Sequence, residues 1–62
     1  MTTEEAIKYL KEKEVGTTLL LESNTNIHIF KNIMGVIHKG EYGNGSIIVF
    51  DYHKYENETW TI

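Results

Sequence analysis

His38, Asp51 and His53 are the residues of this chain whose types could hold a metal ion or share a proton as a histidine–carboxylate pair. A two-residue turn at Asn44-Gly45 would set His38 opposite Asp51 and let the three approach one another. Their spacing follows no recognised ligand motif, however, and His53 falls where a strand is running out. The three therefore read as polar residues of a sheet surface, and no metal or other cofactor is expected.

A second set joins stacking faces to positive charge. Phe30, Tyr42, Tyr52, Tyr55 and Trp60 are interleaved with Lys31, Lys39 and Lys54, a combination that suits single-stranded nucleic acid. Against this, the net charge is -3 and all six basic residues are lysine. Without arginine the chain lacks the planar fork that grips phosphates and guanine edges. So small a domain also needs its aromatic residues for a core, and nucleic-acid binding is the second choice behind protein binding.

Catalysis has less to work with. Ser23 and Ser46 lie in turn positions with no histidine–acid pattern beside them. The chain has no cysteine, which removes thiol nucleophiles, thiolate metal sites and disulfides. Glu4, Glu5, Glu12 and Glu14 read as the wet side of a helix, and the glycines between Gly40 and Gly45 suit a hairpin better than a phosphate loop. A chain of 62 residues rarely offers a pocket of about 300 Å³ or more, so neither enzymatic activity nor a small-molecule substrate is expected.

The elements that carry these residues follow from capping, periodicity and turn chemistry. Thr2 with Glu5 forms a capping-box pattern, and Ala6, Ile7 and Leu10 share one face, predicting an amphipathic helix over about 3–15 that stops at Gly16. Strand-forming runs follow at about 17–22, 26–31, 33–42, 46–53 and 59–62. Residues 1–62 thus make one α+β domain: an N-terminal helix on a four- or five-stranded antiparallel sheet, with curling toward a small SH3-like barrel as one way to close it. The expected core is Ile7, Leu10, Leu19, Leu21, Ile27, Ile29, Val36, Ile48, Phe50 and Trp60.

The Gly43-Asn44-Gly45 turn is the strongest local signal, because Asn-Gly accommodates positive φ. A two-residue turn sets Lys39 against Phe50, and a three-residue loop sets His38 against Phe50 and Val36 against Tyr52. The second gives the better apolar match and is the expected register. In either case Ile47 and Val49 point away from Ile48 and Phe50, so one strand presents apolar side chains to both faces of the sheet, while a single helix covers only one.

From that surplus we expect a small protein-binding module, a regulator or inhibitor of bacterial or phage type, acting through an apolar sheet face or edge strand and able to pair with itself. The expected contact residues are Phe30, Ile33, Ile37, Tyr42, Val49 and Tyr55. No apolar stretch approaches the ~20 residues that cross a bilayer, and no N-terminal segment joins a basic start to an apolar run. A cytoplasmic protein with no membrane partner is expected.

Overall fold

A computed structural model describes residues 1–62. Helix α1 spans Thr3–Glu12 and begins as its capping box requires: the Thr2 hydroxyl accepts the Glu5 N–H at 3.1 Å, and the Glu5 carboxylate accepts the Thr2 N–H at 2.9 Å. It ends earlier than residue 15, because Lys13 is already extended and Glu12 to Glu14 offer nothing apolar to bury. The Lys31 ammonium donates to the carbonyls of Lys11 and Lys13, satisfying acceptors that the helix end leaves free.

Five strands follow: β1 Thr18–Leu21, β2 Asn24–Lys31, β3 Ile37–Glu41, β4 Ser46–Val49 and β5 Trp60–Thr61. All pairings are antiparallel, and the sheet runs in the order β4-β3-β2-β1-β5. β4 and β5 lie at opposite edges, so the sheet is open and does not close into a barrel. The edges differ. The β5 edge is occupied by the N-terminal residues: Trp60 N–H donates to the Met1 carbonyl, the Met1 ammonium returns a bond to the Trp60 carbonyl, both at 2.7 Å, and Thr2 bridges Thr59. Nothing lies along the outer side of β4.

Three strands begin or end differently from expectation, each for a local reason. β2 starts at Asn24 rather than 26, because Asn24 already pairs with Leu21 across a tight turn at Glu22-Ser23. The third strand starts at Ile37 rather than 33, because the Asn32 carboxamide accepts the N–H groups of Met34 and Val36 and folds Ile33–Gly35 into a loop, with Gly35 at φ +82°. The fourth strand stops at Val49 rather than 53, because Tyr52–Tyr55 forms a short helix, α2.

The hairpin register is also neither of the two considered. His38 pairs with Val49, Lys39 with Ile48 and Gly40 with Ile47, leaving a four-residue loop, Tyr42–Gly45. Gly43 and Gly45 take φ +99° and +69°, and the Asn44 carboxamide accepts the Ser46 N–H at 2.8 Å. Relative to the expected three-residue loop this is a slip of one residue, which exchanges the faces. His38 therefore shares a face with Ile47 and Val49, not with Ile48 and Phe50.

The core lies between α1, α2 and one face of the sheet: Ala6, Leu10, Leu19, Leu21, Ile29, Ile37, Tyr55 and Trp60, with Ile7, Ile27 and Phe50 packed around them. Val36 and Ile48, expected inside, are 43% and 51% exposed. The first belongs to the Asn32 loop and the second to the uncovered edge strand. No helix is long and apolar enough to cross a membrane.

Candidate interaction face

Side chains alternate across a strand, so the pairings fix what the second face of the sheet carries. Leu19 and Ile29 point into the core beneath α1. Their neighbours must point the other way, and two cross-strand rows result. One runs Thr18, Phe30, His38, Val49; the other runs Thr61, Leu20, His28, Gly40, Ile47. No element packs over them. Ile47 and Val49 are 61% and 62% exposed.

Rings dominate the middle of this face. His28 stacks on Tyr42 with centroids 4.1 Å apart, and on Phe30 at 5.8 Å, while Phe30 stacks on His38 at 5.9 Å. Gly40 makes the arrangement possible. A Cβ there would lie 2.4 Å from His28 Nε2, so only a hydrogen leaves room for the imidazole to lie flat against the strand. Tyr42 is held on the same face because its N–H donates to the Asn26 carbonyl at 2.8 Å, extending the β2–β3 ladder beyond Glu41. His28 Nδ1 is buried and has no hydrogen-bond partner, an arrangement that costs about 1–3 kcal/mol. Beside this stack is a shallow cleft of about 280 Å³ between His28, Tyr42, Gly43, Ser46 and Ile47, with Glu41 the one charged residue on its rim.

Charge is sorted between the two sides. Neither row contains an Asp, Glu or Lys. Lys31 and Lys39 hold the alternate strand positions and point to the helix side, where Lys31 reaches α1 and Lys39 Nζ lies 5.8 Å from the Tyr55 ring. Lys54 Nζ lies 5.7 Å from the same ring, and Lys8, Lys11 and Lys13 belong to α1 and its cap. The aromatic residues and the lysines that the sequence interleaves are thus parted by strand alternation.

Of the residues expected to make contacts, Phe30, Tyr42 and Val49 come together on this face. Ile33 does not: it sits 86% exposed at the tip of the Asn32 loop. Ile37 and Tyr55 are buried core residues, Ile37 because it shares its face with Lys39 and the helix side, and Tyr55 because α2 folds it against Phe50 and Trp60. His28, His38, Leu20 and Ile47 complete the face and were not among those expected. The alternation Ile27-His28-Ile29-Phe30 carried the signal, since the two isoleucines claim the core and leave His28 with Phe30. His38 lies opposite Val49 rather than Asp51, and no group of three or more His, Asp or Glu residues is placed to hold a metal ion. Compared with known proteins, the chain matches no family model, no curated protein and no solved structure.

Proposed function

We propose that this chain is a small protein-binding module that docks a partner protein on the open face of its sheet and regulates that partner by occupancy rather than by catalysis. The carrying observation is the sorted surface: rings and aliphatic side chains on the open face, and every lysine on the other side. A partner strand or loop with apolar side chains finds there a rigid platform whose rings lose little entropy on binding. A polyanion finds stacking surfaces but no counter-charge, which argues for protein over nucleic acid. A cytoplasmic setting is part of the same proposal, and cell fractionation checks it.

Selection of displayed random peptides against the folded chain tests the reading. Apolar, strand-forming peptides are expected to be enriched, to bind with little dependence on salt, and to lose affinity at least tenfold against Tyr42→Ser. Failure to enrich any peptide, or binding of a single-stranded oligonucleotide that collapses with rising salt, would overturn it.

A further inference from the structure

We propose that two copies of this chain join through their β4 strands, antiparallel across a two-fold axis at Ile48, into one continuous ten-stranded sheet. This inference rests on the open face being a binding surface, and it names the first occupant of its edge. Phe50 N–H donates to the Ile37 carbonyl at 3.0 Å, so in the alternation of an antiparallel ladder the backbone groups of Ser46, Ile48 and Phe50 point inward to β3. Those of Ile47 and Val49 point outward with no partner. Ser46-Ile47-Ile48-Val49 has no charge and no proline, and every side chain in it is exposed. Such an edge is a template for another strand, and soluble proteins ordinarily guard it with lysine, proline or a bulge.

The free groups select the register. Ladder bonds can form only between outward-pointing residues, which leaves three choices: Ile47 on Ile47, Ile47 on Val49, or Val49 on Val49. The first sets Val49 against the Gly45 turn, and the third sets Ile47 against the Asp51 carboxylate. The middle choice pairs Ile47 with the second copy's Val49 twice over, Ser46 with Phe50, and Ile48 with itself. It unites the full apolar length of the strand and keeps the two Asp51 carboxylates at opposite ends. It also sets the two ring-bearing faces side by side in a single surface that carries no Asp, Glu or Lys in its rows, so no like charges pair directly across the β4 seam.

A second copy suits the edge better than a flexible peptide, because its strand is already extended and loses no backbone freedom on pairing. The contact is isologous and ends at two copies. Growth through the other edge is blocked, because Met1 and Thr2 occupy the outer side of β5.

Sedimentation equilibrium and disulfide trapping together test the proposal. Because the chain has no cysteine, Ile48→Cys introduces a single thiol. In the proposed register the two Ile48 residues form a non-hydrogen-bonded pair with Cα atoms about 4.5 Å apart, within the span of a disulfide. Mild oxidation is expected to convert I48C largely to dimer, while Asn57→Cys, on an exposed loop, stays monomeric under the same conditions. Wild-type chain is expected to sediment as a dimer, and Val49→Lys to weaken association at least tenfold with its circular dichroism unchanged. A wild-type chain that is monomeric near 1 mM, or I48C that cross-links no faster than N57C, would overturn it. The open face is read separately: a monomeric chain whose selected peptides still bind and still need Tyr42 loses the dimer and keeps the binding module.

Discussion

Trp60 donates its indole N–H to the hydroxyl of Thr3 at 2.8 Å, and that hydroxyl in turn donates a hydrogen bond to the Tyr55 carbonyl at 2.5 Å. Both residues are fully buried, so one oxygen ties α1 to β5 and α2 at the centre of the core. Thr3→Val keeps the volume and removes the oxygen, leaving the buried indole N–H unpaired, while the Tyr55 carbonyl keeps only the Glu58 N–H. A loss of about 1–3 kcal/mol is expected in urea unfolding followed by Trp60 fluorescence. An unchanged midpoint would show that water replaces the hydroxyl.

Gly40 and His28 are expected to be energetically coupled. Gly40→Ala alone drives a methyl group into the imidazole, tips it off Tyr42 and costs about 1–3 kcal/mol, although alanine is otherwise the better strand residue. With His28→Ala beside it, most of that cost disappears. A double-mutant cycle checks this, and a coupling below about 0.5 kcal/mol would mean that the ring moves aside freely.

Glu5 supplies a pH dependence whose sign follows from its partners. The Thr2 backbone N–H, and secondarily the Thr2 hydroxyl, hold its carboxyl below the usual carboxylate range. A lowered folded-state pKa means that the contribution is complete above the ordinary carboxylate pKa and is lost as the pH falls through the lowered one. Glu5→Gln can still bond the Thr2 N–H but cannot titrate, so its α1 amides are expected to show no added exchange in acid. Hydrogen exchange across that pH range makes the comparison.

What the sequence made legible was whatever local chemistry dictates. The Thr2–Glu5 box, the helix face of Ala6 and Leu10, the alternation in β2 and the existence of the hairpin are each set by residues within a few positions of one another. What it left hidden depends on distant partners. The register of β3 on β4 turns on Tyr42 leaving the β4 pairing for the loop while its N–H stays bonded to the Asn26 carbonyl, sixteen positions away, and sequence alone does not reveal that arrangement. Tyr55 is buried because β5 brings Trp60 beside it. The His28 stack needs Gly40 on the adjoining strand, and a lone glycine in a strand signals close approach without naming what approaches.

Ile47 and Val49 distinguish a functional surface from a structural one. If their side chains served the fold, replacing both by threonine, which keeps the β-branch and the strand preference, would destabilise the chain by the ~2–5 kcal/mol typical of core truncation. Because both are exposed on an uncovered face, the expected change at high dilution is within about 0.5 kcal/mol, against a multi-kcal/mol loss for Leu19→Ala in the core. Their contribution should emerge only with concentration. A dimer stabilises the native state by mass action, so the wild-type Tm is expected to rise with protein concentration and that of Ile47→Thr/Val49→Thr to rise much less. Scanning calorimetry over a hundredfold range of concentration measures both. Parallel curves would mean that β4 is not the joining strand, and a large loss at high dilution would mean that these side chains belong to the core after all.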